Sequence, residues 1–215
     1  RSTPSNSSAA SDVYKRQVVD RARTNYETFK NHTSILFWSL GNESYAGDDL
    51  GAMNTYFKEK RDGRLVHYES SFYNRAYEDT ISDVESRMYA KPKEVEEYLN
   101  NNPKKPYLLC EFMHDMGNSM GGLGSYMKLI DQYEMYHGGF IWDFIDQAIL
   151  IRDPVTGKEV LRYGGDFDDR PADYEFSANG IVFADRKEKP AMQEVRYYYC
   201  LLYTSPSPRD LSTSR

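Results

Sequence analysis

Cysteine is nearly absent: the chain holds two, Cys110 and Cys200. A disulfide-stapled scaffold and a multi-cysteine metal ribbon are therefore excluded. There is no excess of positive charge. The formal net charge of −6 argues against a nucleic-acid binder, which would present a basic face. No apolar run approaches the roughly 20 residues a membrane helix needs. No G-x-S-x-G nucleophile signature occurs. The Gly-rich stretch Gly117–Gly124 lacks the phosphate-loop spacing and its Lys, and reads as loop geometry. Repeats and low-complexity runs are missing from residues 18–199. Aromatic residues are abundant instead, with 19 Tyr among them. Polar-tipped rings suit a wet site that stacks on ligands, although Tyr-rich loops packing on themselves explain part of the surplus.

The two ends read as foreign. Asp12–Gln17 back-translates as GAT GTG TAT AAG AGA CAG, and Cys200–Ser205 as TGT CTC TTA TAC ACA TCT. The strings are reverse complements over most of their length and look like a transposase adapter of sequencing libraries. Residues 1–17 and 200–215 are accordingly expected to be adapter-derived tails, set apart from fold reasoning. Val18–Tyr199 then forms the natural part, an open fragment of a longer gene. Cys110 becomes its one cysteine, no intrachain disulfide is possible, and the compartment is not readable.

The residue pattern in between points to an α/β fold. Val18–Asn31 reads as a helix and Ser34–Leu40 as a strand covered on both faces, as in a parallel sheet. Asp48-Asp49 are placed to cap a helix with an apolar face of Leu50, Met53 and Phe57. A strand at 65–69 and a weaker one at 83–88 follow. Pro92 opens a helix carrying Val95 and Leu99, and 107–111 is a further strand. Leu123, Tyr126, Met127 and Ile130 share a helix face, and 138–143 is the fifth strand. Such alternation means βα units around a parallel sheet, and five units fit an incomplete (β/α)8 barrel, a TIM barrel. Residues 145–185 read as a rim region, with a hairpin across Asp153–Gly157 and a long loop from Tyr163 to Asp185.

Two apolar strands end on carboxylates: Trp38-Ser39-Leu40-Gly41-Asn42-Glu43 and Tyr107-Leu108-Leu109-Cys110-Glu111. Polar residues at strand C-termini are where α/β folds put their chemistry. A carboxyl pair on one rim is what glycoside hydrolysis needs, one member protonated and one ionised. Each Glu alone is more readily a solvated strand-end charge; the repeated design favours the pair. His114 is placed to bond a sugar hydroxyl or to orient Glu111, and Trp142, at a strand end, is a candidate platform. His67-x-Glu69 would share one strand face, but a third metal ligand is not spaced nearby.

These residues resemble a family. Ser39-Leu40-Gly41-Asn42-Glu43-Ser44, Met88-Tyr89-Ala90, Leu109–Ser119, Gly138–Gln147, Tyr163–Phe167 and Asn179–Arg186 are similar in order to glycoside hydrolase family 2 β-galactosidases of the LacZ type. The resemblance implies the C-terminal five βα units of the barrel and a retaining hydrolase for terminal β-D-galactosyl residues, with a β-galactoside such as lactose as substrate. Glu43 would be the acid/base and Glu111 the nucleophile. Asn42, Tyr89, His114, Trp142 and Asn179 would bind substrate. Glu43 would ligate Mg2+, and Phe176 (through its backbone oxygen) and Asn179 would ligate Na+, the remaining ligands lying upstream. The parent protein would be a homo-oligomer, and the fragment alone inactive. Phe112 and Met113 depart from the commoner Tyr and Ala of the motif, which touches fine specificity rather than the chemistry. Another family 2 activity such as β-glucuronidase, or a non-catalytic sugar-binding homologue, stands as the alternative; retention of both Glu residues speaks against the latter.

Overall fold

Strand and helix alternate along the chain because short apolar runs alternate with stretches whose apolar residues recur about every 3.6 positions. The computed structural model describes residues 6–117 and 119–200. Helix α1 (Asn6–Phe29) continues N-terminally past Val18, and β1 (Phe37–Ser39), α2 (Asp48–Glu59) and β2 (Leu65–His67) follow. Next come two 3-10 turns (Ser70–Tyr73 and Arg75–Tyr77), the one-turn α3 (Glu78–Ile81) and β3 (Glu85–Met88). Helix α4 (Pro92–Asn100), β4 (Tyr107–Phe112), α5 (Leu123–Gln132) and β5 (Tyr136–Ile141) complete the alternation. A hairpin of β6 (Ile149–Arg152) and β7 (Glu159–Arg162), a 3-10 turn (Tyr174–Ser177) and α6 (Met192–Tyr199) end the described chain. The expected α/β alternation is present.

The described residues divide into two compact units, one of residues 6–110 and 135–137, the other of 111–117, 119–134 and 138–200. The division falls inside β4 and β5. In the first unit β1 and β2 pair in parallel, Trp38 opposite Val66. A separate sheet has the order β3-β4-β5. Between β2 and β3 a backbone bond from Asp83 N–H to Val66 O at 2.8 Å is flanked by side-chain acceptors, Asp83 and Ser82, where a regular ladder would use carbonyls. Val66 N–H donates to Asp83 Oδ2 at 2.6 Å, and Tyr68 N–H to Ser82 Oγ at 3.1 Å. That is why the third strand begins at Glu85 rather than at residue 83.

The core of this unit gathers Trp38, Leu40, Leu50, Met53, Phe57, Val66, Tyr68 and Ile81. Trp38 stacks on Phe57 with centroids 5.4 Å apart and planes 8° apart, a pairing worth about 0.5–1.5 kcal/mol beyond its buried area. All three residues expected on the inner face of α2 are buried. Its N-cap, however, is Gly47, and Asp48 and Asp49 sit in the first turn, where they complement the positive end of the helix dipole. Strand β1 also departs from expectation: Trp38 and Leu40 are buried but Ser39 is exposed and Leu36 is 68% exposed. It is covered on one face, and spans only three residues. Tyr107, Leu108 and Leu109 of β4, by contrast, are all buried.

In the second unit α5 and α6 are tied at their N-terminal ends. Leu123 N–H, at the start of α5, donates to Glu194 Oε1 of α6 at 2.8 Å, so a carboxylate satisfies an orphan helix donor and its dipole together. The hairpin is antiparallel with Ile149 opposite Arg162. Its turn is organised by Asp153, which accepts from Thr156 N–H at 2.7 Å and from Arg162 Nη2 at 2.9 Å. These bonds hold the Asp153 carboxyl below its ordinary pKa, the backbone bond from Thr156 most of all.

Candidate active site

In the first unit the site is built where β1, β2 and β3 end. Gly41 takes φ 149°, which ends β1, and Glu43 lies in a left-handed turn at φ 52°. A bulky non-glycine residue there is uncommon and must be held by its surroundings. The holder is Glu69: Oε1 of its carboxylate, 4% exposed, accepts the Glu43 N–H at 2.6 Å and the Ser70 hydroxyl at 3.2 Å. Tyr68 adds a second clamp by donating its hydroxyl to Ser44 O. Tyr89, one residue past β3, is also left-handed at φ 52°. Glu43 and Tyr89 line one cleft of ≈ 640 Å³, together with Glu69, Arg87 and the aromatic side chains of Tyr45, Phe72 and Tyr73. Asn42 is exposed and does not line that cleft; its carbonyl accepts from Ser44 Oγ at 3.3 Å.

His67 and Glu69 do not share a face. The strand stops at His67, and Glu69 adopts helical φ −84° and ψ −30°, so the two-residue alternation no longer applies. His67 turns to Ser86 Oγ at 2.8 Å and Ser39 Oγ at 3.4 Å, while Glu69 turns to Glu43. Burial pushes the His67 pKa down to about 4, so it is neutral in the fold and ionises in the unfolded chain below its ordinary value of roughly 6.5. The unfolded state thus binds the extra proton, and the stability His67 confers is complete above about pH 6.5 and lost as pH falls toward 4. Between pH 7.5 and pH 5 the stability advantage of the wild type over His67→Gln is expected to shrink by about 2 kcal/mol. Urea unfolding of both at the two pH values measures this; an advantage that holds steady would show that His67 does not titrate on unfolding.

In the second unit Glu111 lies in β4 beside buried Phe112, and Met113 is left-handed at φ 55°. Past the strands, Trp142 N–H donates to Phe112 O at 3.0 Å and Asp115 N–H to Trp142 O at 2.8 Å. The backbones carrying Glu111, His114 and Trp142 are thereby fixed to one another. The fifth strand runs 136–141, two residues earlier than expected, because Trp142 and Asp143 turn to bond the chain around Asn179. Asp143 N–H donates to Asn179 O at 2.7 Å, and Ile181 N–H returns to Asp143 O at 2.9 Å. Asp146 completes the join by accepting from Gly180 N–H at 2.9 Å and Lys189 Nζ at 2.7 Å. Only glycine fits at position 180, since a Cβ there would lie 2.2 Å from the Asp146 backbone nitrogen. The His114 and Phe176 rings meet edge-on at 6.3 Å. Asp115, buried beside them, has its carboxyl pKa raised by that burial.

The oxygens available for cations differ between the units. Asn179 is buried and its Oδ1 has no hydrogen-bond partner, while its Nδ2 donates to Phe176 O. With its Nδ2 facing Phe176 O, the Asn179 amide would have to flip to set Oδ1 beside that carbonyl; flipped, the two neutral oxygens would suit the sodium that the resemblance implies. Among the described residues no three His, Cys, Asp or Glu side chains gather to hold a metal. Glu43 is the one magnesium ligand that the resemblance places in this chain, its partners being expected upstream.

Glu69, Arg87, Phe72 and Tyr73 were not singled out from the sequence as members of the site. Glu69 carried a signal: Leu65–Glu69 is another apolar run ending on Glu at a strand terminus.

A family model described as glycosyl hydrolases family 2, TIM barrel domain, matches residues 2–203. The chain belongs to glycoside hydrolase family 2. Among family 2 relatives, the beta-galactosidase large subunit of Latilactobacillus sakei is 68% identical over 188 residues, 87% of this chain and 30% of that protein. The beta-galactosidase of Halalkalibacterium halodurans is 60% identical over 182 residues, 85% of this chain and 18% of that protein. The chain thus spans less than a third of the length of either relative. A solved family 2 beta-galacturonidase from Eisenbergiella tayi, bound to galacturonate, superposes with a TM-score of 0.57 at 18% identity, over 87% of this chain and 37% of that one. This likeness shows the fold alone. Family membership makes the α/β fold that of a TIM-barrel domain.

Proposed function

We propose that the protein carrying this chain is a retaining glycoside hydrolase that releases terminal β-D-galactosyl residues through a covalent galactosyl-enzyme. The observation that carries the reading is Glu43: an exposed carboxylate on a left-handed turn, clamped through its backbone by buried Glu69, in a cleft shared with Tyr89. Conformationally costly backbone held by its surroundings marks functional positions. The choice of galactoside rests on relatives named beta-galactosidase at 50–68% identity, against 18% for the galacturonidase.

In this reading Glu43 protonates the glycosidic oxygen as the Glu111 carboxylate attacks the anomeric carbon. Glu43, now ionised, then takes a proton from water, which displaces Glu111 with net retention. By the resemblance Tyr89 is the tyrosine that serves beside the nucleophile, and His114, Trp142 and Asn179 orient the sugar. Phe176 O and Asn179 Oδ1 would hold sodium, which when bound supplies a positive charge for sugar hydroxyl oxygens. The units of residues 18–199 are read as the C-terminal five of the barrel, and residues 1–17 and 200–215 as adapter-derived; both rest on the order of motifs and the inverted coding strings.

Proton NMR of an aryl β-galactoside during the first turnovers by the full-length enzyme tests the reading. β-Galactose is expected to appear first and to mutarotate later. Initial α-galactose, or release of glucuronic acid from a glucuronide with no turnover of the galactoside, would contradict it.

A further inference from the structure

The loop that carries Glu43 is fastened along its length by the segment that follows β2. Tyr68 donates its hydroxyl to Ser44 O, Glu69 Oε1 accepts the Glu43 N–H at 2.6 Å, and Asn74 Nδ2 donates to Ala46 O at 2.9 Å. Each of these bonds joins two residues of this chain, and Tyr68 and Glu69 are both buried within it. The parallel pairing brings the two segments together. Ser39 stands opposite His67 and Leu40 N–H donates to His67 O at 3.0 Å, so the chain leaving β2 runs beside the turn that leaves β1. Of the three side chains, Glu69 is the one that holds residue 43 itself. A carboxylate is well suited to that position. Its bond to an N–H is about twice as strong as a neutral one. Glu43, at φ 52°, occupies a backbone region that a long side chain keeps only when its surroundings hold it there. The Ser70 hydroxyl donates to the same Glu69 oxygen at 3.2 Å, which keeps that oxygen aimed at the turn.

We propose that Glu69 is the positioning residue of the acid/base: through the Glu43 backbone it sets where the Glu43 carboxyl stands against the glycosidic oxygen. This rests on the reading of Glu43 as the general acid. Glu69 itself moves no proton in the scheme. Without its oxygen the Asn42–Glu43 peptide is free to turn, and residue 43 relaxes toward a negative φ, which swings its side chain to a new direction. A displacement on the order of 1 Å at a reacting group costs about 10²-fold in rate. The loss falls on proton transfer, so it is large for a leaving group that needs a proton and small for one that does not. A carboxylate that merely stabilised the fold would affect both kinds of substrate alike.

The test is a ratio measured in the full-length enzyme: kcat/KM for phenyl β-galactoside over that for 2,4-dinitrophenyl β-galactoside. Both leaving groups are aryl rings, and they differ chiefly in their need for a proton. The ratio is independent of the fraction of enzyme correctly folded. It is expected to fall by about 10- to 100-fold in Glu69→Ala, and also in Glu69→Asp, which keeps the charge but draws the oxygen back from the Glu43 N–H. Glu69→Gln, whose amide oxygen still reaches that N–H, is expected to hold the ratio within about threefold of the wild type. Added to Glu43→Gln, the Glu69→Ala change should shift the ratio by less than about twofold, because no carboxyl is left to position. A ratio within twofold of the wild type in both Glu69→Ala and Glu69→Asp would overturn the positioning role. So would an equal loss whether residue 43 is Glu or Gln. Either result leaves the acid reading intact as long as Glu43→Gln itself lowers the ratio. A Glu43→Gln enzyme with the wild-type ratio would overturn that reading and the positioning role with it.

Discussion

Replacing Glu111 by Gln in the full-length enzyme is expected to lower galactoside turnover by on the order of 10⁴-fold or more, with the fold intact. The amide keeps the shape of the side chain but cannot form the glycosyl ester. Glu111 sits half-buried in β4, whose residues Tyr107, Leu108, Leu109 and Phe112 are buried around it, so an isosteric change disturbs little packing. A 2-deoxy-2-fluoro galactoside with a good leaving group should label the wild type stoichiometrically, because fluorine slows both steps and the leaving group rescues only the first. Peptide mapping is expected to find the label on Glu111. A label on another residue, or Glu111→Gln retaining more than a few per cent of activity, would remove Glu111 from the nucleophile's role.

Some of this arrangement was legible in the residues, and the reasons differ by element. The inner faces of α2 and α4 were, because Leu50, Met53 and Phe57, and Val95 and Leu99, repeat at helical spacing and are all buried. Strand β4 was too, since an apolar run closed by a carboxylate has few other uses. The extent of β1 was not. Seven apolar or small residues suggested a long, doubly covered strand, yet only Phe37–Ser39 is extended in a ladder, because Gly41 and the Glu43 turn draw the chain away toward Glu69. The separation of β2 from β3 was hidden for a related reason: a side-chain carboxylate at Asp83 does work that a strand periodicity cannot signal. Helix α5 buries Leu123 and Met127 of the expected face and Leu129 outside it, while Tyr126 and Ile130 are only half-buried. Among site residues, Glu43 was found through its strand-end position. Glu69 reads from the sequence only as a metal-ligand partner of His67 that lacks a third ligand, and the alternation behind that pairing fails once the strand has ended.

Glu43→Gln is expected to split the two half-reactions that Glu111→Gln abolishes together. Glu43 serves as acid in the first step, so its loss should slow formation of the galactosyl-enzyme in proportion to how much the leaving group needs a proton. Lactose turnover should fall by on the order of 10³-fold or more, while a dinitrophenyl galactoside still acylates Glu111. The intermediate then accumulates, because no base activates water. Azide needs no such base, and its addition is expected to raise turnover of the activated substrate by about tenfold or more and yield β-galactosyl azide. The backbone clamp on Glu43 bears on this result: its N–H bond to Glu69 involves no side-chain atom of residue 43, so the Gln variant keeps the turn. If azide gave the α-product, the displacement would be single and the pairing of Glu43 with Glu111 wrong. If azide gave no rescue while burst kinetics showed normal acylation and deacylation, Glu43 would not be the acid/base at all.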